Sequence, residues 1–313
     1  MPNEKPTVSV ILPAYNSARF IQTTLDSIFA QDFHEYEIIV IDDGSTDATA
    51  EICRRQGARV LLIQQTNQGI SEARNSGLRA AAGRYIAFID HDDYWHPKKL
   101  SSQVGVLEKM DAGTGVCYGE FLDWDGIDTP SFPSSEISQD KLVLELSGWI
   151  YHQLLLTNWV LFTTALFRRE VFDSIGLFDR ELPPGDDWDI ALRASRKFRF
   201  VKLVNVVALY RRHDGQTSLK CFSRDFQSEL RESMILRYGL AGPDGQLPNT
   251  RELDMRRLRS HLSFCAAHSR MGSSRIAGKA LANAFVLSPL SLDTWRGALS
   301  MVKTMVLRTI KAI

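Results

Sequence analysis

Four short runs dense in apolar and β-branched residues recur along the first ninety positions: VSVILP (8–13), EIIVID (37–42), RVLLIQ (59–64) and RYIAFID (84–90). Branched side chains favour extended backbone, and runs this short and this apolar suit strands covered on both faces. The segments between them carry the helical period instead. Phe20, Ile21, Leu25, Ile28 and Phe29 share one side of a helix whose start we place at a capping Ser17. GSTDATAEICRRQ opens with cap-forming residues, and ISEARNSGLRAAAG reads as a helix from a capping Ser71 to a stopping Gly83. Strand and helix alternating at this spacing imply an α/β chain with a mostly parallel sheet and helices on both faces. Ligands of such sheets bind beyond the carboxyl ends of the strands. Here those ends read PAYN, DDGSTD and DHDD, so three polar motifs are expected along one edge.

At 313 residues and 44% apolar content, the chain can bury a large core. Lys plus Arg and Asp plus Glu number 37 each, so no overall field recommends nucleic acid as a partner. The balance conceals a segregation: residues 222–313 hold fourteen Lys/Arg against seven Asp/Glu, and residues 1–221 hold the opposite excess. Cys53, Cys117, Cys221 and Cys265 lie far apart, with no C-x-x-C pair to suggest zinc and no dense disulfide framework. The start, MPNEKPTVSVILPAYN, lacks the basic end and unbroken apolar run of a signal peptide, and a cytoplasmic location is the expectation. Residues 146–167 are free of charge but contain His152, Gln153 and Asn158, so a buried helix followed by a buried strand is expected rather than a membrane span. DWDGIDTPSFPSSEISQD (123–140) reads as a mobile loop beside the site, and LAGPDGQLPN (240–249) as a turn between helices.

Acidic residues dominate the candidate site. Asp43 follows a strand, where its carboxylate either accepts a nucleobase imide N–H or belongs to a capping loop. Asp90 and Asp92 flank His91, so in an extended turn both carboxylates can face one ligand. Two carboxylates would repel a diphosphate, since like charges about 4 Å apart cost roughly 4 kcal/mol at an effective dielectric of about 20. A divalent cation reverses that sign, and hard oxygen ligands suit Mg²⁺ or Mn²⁺. Asp93 is expected to cap the turn toward Pro97. Arg74, early in its helix, either meets an anion or is solvated. GDDWD (185–189) opens another helix, with Asp186 or Asp187 as its cap and Trp188 beneath it. His213 follows a strand ending in Tyr210, Arg211 and Arg212; the His is a metal-ligand candidate, and the arginines face phosphate or acidic neighbours.

Taken together, VSVILPAYN, IIVIDDGSTD, NQGISEARNSGL, YIAFIDHDD, GLFDRELPPGDDWDIALR and YRRHDGQTS resemble, in that order, the family-two inverting glycosyltransferases of the GT-A fold. The resemblance covers about residues 6–218. It implies a GT-A domain over 1–221, with a nucleotide-binding part at about 6–110 and an acceptor-binding part at about 111–221. Residues 222–313 would be a helical C-terminal extension. Position by position, it implies that Pro13, Ala14 and Tyr15 line a nucleoside pocket, with Asp43 reading the base and Arg74 near base or phosphate. Asp90 would hold the ribose, and Asp92 and His213 the metal. The acidic pair that usually reads Glu-Asp in the family is Asp186-Asp187 here, with Asp187 as base and Asp186 orienting donor or acceptor. The implied reaction is a hexosyl transfer, by single displacement, from a nucleoside-diphosphate sugar to a hydroxyl of a saccharide or lipid-linked saccharide. A carboxylate facing an imide proton accommodates uracil or thymine, and guanine through its own ring N–H.

Two rival classes are open to discrimination. A nucleotidyltransferase would need a Gly-rich phosphate loop after the first strand, where this chain reads PAYNSARF. A non-catalytic binder of sugar or nucleotide on the same scaffold would not release nucleotide when acceptor is added. Trp124, Trp149, Tyr151 and Trp159 are candidates for stacking on an acceptor sugar or, equally, for the core. In SLDTWRGALSMVKTMVLRTIKAI, Leu299, Val302, Val306, Ile310 and Ile313 form one helical stripe, with Arg296, Lys303, Arg308 and Lys311 largely elsewhere. Such a helix lies on an anionic membrane surface as a peripheral anchor, or packs on the catalytic domain or a second subunit of a homo-oligomer.

Overall fold

The structure, a computed structural model, describes residues 5–126, 128–182, 185–216 and 222–312. Packing divides the chain into two units. The first comprises residues up to Leu154, Asn158–Asp214 and Gly242–Asp244; the second comprises Leu155–Thr157, Gly215–Ala241 and the chain from Gly245 onward.

The first unit is built on an eight-stranded sheet. Its strands are β1 (Val8–Ala14), β2 (Tyr36–Asp42), β3 (Leu61–Gln64), β4 (Tyr85–Phe88), β5 (Tyr94–Trp95), β6 (Thr114–Trp124), β7 (Leu166–Arg168) and β8 (Arg199–Arg211). They lie in the order β3-β2-β1-β4-β7-β6-β8-β5. β1 pairs in parallel with β2 and β4, β2 with β3, and β6 with β8; the antiparallel pairings are β4 with β7, β6 with β7, and β5 with β8. The fold class is the α/β sheet anticipated above. The antiparallel β7 is the element that joins its two parallel parts.

Alternation along β1 serves both faces. Val8, Val10 and Leu12 pack with Ile21, Leu25 and Ile28 of α1 (Ile21–Phe29), while Ile11 faces α3 (Ile70–Ala80). A Cβ on Gly77 would stand 2.3 Å from Ile11 Cγ2, so a glycine is what lets α3 lie this close to the strand. The remaining helices of this unit are α2 (Thr49–Arg54), α4 (Lys99–Lys109), α5 (Tyr151–Leu154), α6 (Arg169–Ile175) and α7 (Asp186–Ala194).

Several local expectations are corrected. Ser17 does not cap α1 with its side chain: its Oγ accepts from Tyr15 N (3.0 Å), and the helix follows a turn closed on the Ser17 carbonyl. Ser71 does not cap α3, which starts after Gly69 at φ 87°; the Ser71 hydroxyl is directed elsewhere. α3 stops at Ala80, before Gly83, because Ala82 N and Gly83 N are captured by Glu37 Oε1 (2.7 Å) and Ser9 Oγ (2.8 Å). The charge-free stretch does give a short helix with buried Tyr151 and Leu154, α5, followed after a 3-10 turn at Phe162–Thr164 by the buried strand β7. Asn158 Oδ1 accepts from Val160 N (3.1 Å), a side-chain turn in the chain between α5 and β7. The segment after β6 is irregular but tethered, with Ser134 O against His96 Nε2 (2.9 Å) and Ser138 N donating to Asn205 Oδ1 (3.0 Å).

The second unit holds α8 (Phe226–Tyr238), α9 (Thr250–Met271), α10 (Ser274–Leu287) and α11 (Leu292–Ala312). Asp225 and Asn249 cap α8 and α9 by accepting from Ser228 N and Glu252 N, and Gly272 in the left-handed region ends α9. Cys265, Ala277 and Ala280 form the buried contact between α9 and α10. Among the described residues no helix is long and apolar enough to cross a membrane. Cys53, Cys117 and Cys265 are free and buried; Cys221 lies outside the described residues.

Candidate active site

The ends of β1 and β2 are knitted together. Asp43 N donates to Ala14 O (2.8 Å); Asn16, at φ 49°, donates its own N–H to Ser45 Oγ (2.9 Å) and accepts from Thr46 N (2.8 Å). Ala18 N donates to Asp47 Oδ2 (3.0 Å); burial opposes ionisation of Asp47, but this bond and those from Thr49 prevail and lower its pKa. Pro13 and Ala14 are buried in the strand end, whereas Tyr15 is 48% exposed and presents its ring outward. Asp43 is buried and has three donors: Gln65 Nε2 (2.8 Å) and Gln68 N (2.9 Å) to Oδ1, and Gly69 N (2.8 Å) to Oδ2. It thereby fixes the loop between β3 and α3, and of a carboxylate's roughly four acceptor positions about one remains.

Arg74 projects from α3 into a buried cluster. One terminal nitrogen, Nη1, donates to Asp186 Oδ2 (2.9 Å) and the other, Nη2, to Asp90 Oδ1 (2.9 Å), with the rings of Phe162 and Phe178 each 5.7 Å from the guanidinium. Ser71 Oγ adds a third donor to this constellation, reaching the same Asp186 oxygen at 3.0 Å. Burial disfavours the charge on Arg74, but Asp186, Asp90 and Asp187 outweigh it and hold the guanidinium cationic. Both terminal nitrogens are thus engaged by carboxylates.

Asp186 and Asp187 occupy the first turn of α7, and the cap position belongs to Gly185, without a side-chain bond, rather than to either Asp. Trp188 lies beneath as anticipated, its indole N–H donating to Leu154 O (2.9 Å). Asp187 is half-buried and accepts from Trp188 N (2.7 Å) and from Asn158 Nδ2 (3.2 Å). Burial, followed by the charge of Asp186, pushes its carboxyl up to about 6. It is therefore a markedly better proton acceptor than an ordinary Asp.

Asp92 turns to a different partner from Asp90. His213 Nε2 lies 2.8 Å from Asp92 Oδ2, and the imidazole packs against Phe20 at 4.5 Å between centroids. Asp93 does not cap the turn toward Pro97. It is buried, accepts from Arg211 N of β8 (3.2 Å), and is driven well above the usual carboxylate range by burial and by Asp92 and Asp90. Arg211 Nε donates to Asp92 O (2.7 Å) and its guanidinium lies 4.0 Å from the Trp124 ring, so it braces the motif through its backbone; Arg212 pairs with Asp123 (2.8 Å). Asp92 and His213 offer one hard oxygen and one imidazole nitrogen at a single place. Among the described residues no group of three metal-ligating side chains is assembled. Two protein atoms fit a hard divalent cation of the kind that takes its other ligands from phosphate and water.

With this arrangement in hand, comparison with known proteins identifies the lineage. The sequence signature of Glycosyl transferase family 2 matches residues 9–176, more than half of the chain. The chain belongs to glycosyl transferase family 2. Among curated relatives, it is 31% identical over 219 residues to an uncharacterized glycosyltransferase of Rickettsia typhi, covering 68% of this chain and 66% of the relative. A Rickettsia bellii glycosyltransferase is 28% identical over 227 residues, and there the match spans only 32% of the relative's length. It is also 28% identical over 275 residues to the amylovoran biosynthesis glycosyltransferase AmsB of Erwinia amylovora, covering 82% and 88% of the two chains. The fold of this family 2 chain is GT-A: S. aureus TarS in complex with UDP-GlcNAc superposes with a TM-score of 0.65 at 22% identity, covering 96% and 89%. A mannosyltransferase of Pyrobaculum calidifontis in complex with GDP-Man and Mn²⁺ superposes with a TM-score of 0.56 at 22% identity, covering 98% and 82%.

Two polar contacts of this cluster join residues distant in the chain. Ser71, a cap type by its position, donates instead to Asp186. Asn158 stands in the sequence as a polar interruption of an apolar run; an amide in such surroundings needs a partner, and its Nδ2 donates to Asp187. Of the aromatic candidates, Tyr151 is buried and stays in the core, Trp124 and Trp149 are half-buried, and Trp159 is 40% exposed.

Proposed function

We propose that this protein is a metal-dependent inverting glycosyltransferase that moves a hexosyl group from a nucleoside-diphosphate sugar to a hydroxyl of a saccharide or lipid-linked saccharide. The observation that carries the reading is Asp187: a half-buried carboxylate, pushed up to about 6 by burial and Asp186 and oriented by Asn158, beside the Arg74 bridge between Asp186 and Asp90. The amylovoran biosynthesis assignment of AmsB supports polysaccharide assembly as the setting, and the UDP-GlcNAc and GDP-Man complexes of the structural neighbours support a nucleotide-sugar donor.

In this reading Tyr15 covers the base, and Asp43, through its remaining acceptor position, reads the imide. Asp90 meets the ribose, with Arg74 fixing the carboxylate. Asp92 and His213 would hold Mg²⁺ or Mn²⁺, which when bound neutralises charge on the diphosphate. Asp187 takes the proton of the acceptor hydroxyl. The acceptor oxygen bonds to the anomeric carbon as the bond to the diphosphate oxygen breaks, the electron pair leaves with the nucleoside diphosphate, and the configuration inverts. Asp186, held by Arg74 and Ser71, keeps the first turn of α7 in register so that Asp187 faces the acceptor. A cytoplasmic setting fits nucleotide-sugar supply.

The deciding experiment is thermal shift against UDP, GDP, dTDP and CDP, each with and without Mn²⁺. Stabilisation by one nucleotide only when metal is present supports the reading. No shift from any of them removes it.

A further inference from the structure

Over residues 292–304, α11 has two apolar faces, and only one of them is used within its own unit. The inner face presents Thr294, fully buried, Gly297 against Leu262 of α9, and Met301, whose sulfur lies 3.8 Å from Cys265 Sγ. The outer face carries Leu292, Trp295, Leu299 and Val302 at helical spacing, all exposed, with Leu299 at 70%. Val286 and Leu290, the latter 94% exposed, extend this surface across the turn between α10 and α11. Trp295 is held there by its indole N–H on Pro289 O (3.0 Å) and by an edge contact with Phe285 (5.0 Å), leaving an apolar rim with its polar atom already satisfied. Residues 274–304 carry Arg275, Lys279, Arg296 and Lys303, all exposed, against Asp293 alone as counter-charge.

We propose that this outer face of the α10–α11 hairpin docks on an anionic lipid bilayer, with Trp295, Leu299 and Leu292 entering the headgroup boundary and the four cations meeting acidic headgroups. Exposed apolar residues on a helix whose opposite face is already packed, flanked by Lys and Arg, are the composition of an interfacial anchor. A second copy is the poorer occupant, because a two-fold contact would bring this patch, with its cations, against itself. The proposal is independent of the transferase reading and is tested without donor or acceptor.

The test is co-sedimentation of the full chain with vesicles of phosphatidylcholine alone or with an equal part of phosphatidylglycerol. Binding to the anionic vesicles is expected to be about tenfold stronger or more, and to weaken as salt is added. Trp295→Ser with Leu299→Ser, and separately Arg296→Glu with Lys303→Glu, should each lower that binding about tenfold or more at unchanged helix content by circular dichroism. Equal binding to both vesicle types, or no binding, overturns the proposal. So does a concentration-dependent dimer that the serine variant abolishes, which would assign the face to a second copy.

Discussion

Arg74 Nη1 lies 2.9 Å from Asp186 Oδ2 while its Nη2 lies 2.9 Å from Asp90 Oδ1, so one guanidinium joins the end of β4 to the first turn of α7. The two carboxylates are far apart in sequence and are held together by a fork that lysine cannot reproduce. Arg74→Met should cost about 3–5 kcal/mol of stability, because it leaves the buried charge of Asp186 without its cation. Arg74→Lys should retain part of that stability while losing at least about tenfold in turnover, since a point charge serves one carboxylate at a time. Denaturant unfolding beside steady-state kinetics separates the two effects; full activity in the lysine variant would reduce the bridge to simple charge balance.

On the proposed role as base, Asp187 should set the acid limb of activity. With its carboxyl at about 6, turnover should fall about tenfold per pH unit below that value, as the base becomes protonated. Asp187→Asn should lose about 10²- to 10⁴-fold in turnover and keep nucleotide binding. The sign of the stability effect follows from linkage. A folded-state value raised above the usual 3.8 means that this group's contribution is present below about 4 and lost as pH rises through about 6. Asp187→Asn should therefore melt above the wild type at pH about 8, with the gap closing near pH about 4. A variant that melts lower at both would deny that the ionised carboxylate is strained.

Asp92 and His213 should act as one unit in metal-linked binding. Asp92→Ala and His213→Ala are each expected to remove about tenfold or more of the affinity for nucleoside diphosphate that Mn²⁺ adds, about 1.4 kcal/mol or more. The double variant should cost little beyond either single one. Titration calorimetry with and without Mn²⁺ reads this directly, and equal losses in both conditions would make the pair a structural contact.

Much of this was legible in the sequence because local rules and tertiary structure agree along the parallel strands. VSVILP and EIIVID needed no context to be read as buried strands, and the polar motifs at their ends follow from topology. What escaped was set by contacts distant in sequence. Ser71 carries a strong helix-cap signal, but its hydroxyl is claimed by Asp186 on α7. Asp93 looks like a turn residue, yet the backbone N–H of Arg211, on a strand paired with β5, draws its carboxyl inward. A pattern of residue types carries no information about which distant donor competes for a side chain.

Lys99 shows how such a distant environment becomes measurable. It is fully buried at the start of α4, with Nζ donating to Gln103 Oε1 (2.8 Å) and Ala165 O (3.2 Å) and lying 4.2 Å from the Trp95 ring centroid. Burial lowers its amine to about 7. Because the folded value lies below the unfolded 10.5, the unfolded chain binds more protons between those limits, and this group adds stability as pH rises from about 7 to about 10. Lys99→Met retains the chain length and removes the titration. The variant's melting temperature should therefore lack this rise, and the difference from wild type should be most favourable to Met below about pH 7, where the wild type folds around a charged amine. Melting curves of both proteins across that range decide it: parallel pH profiles would mean that Lys99 keeps its proton in the core, stabilised by Gln103, Ala165 and the face of Trp95.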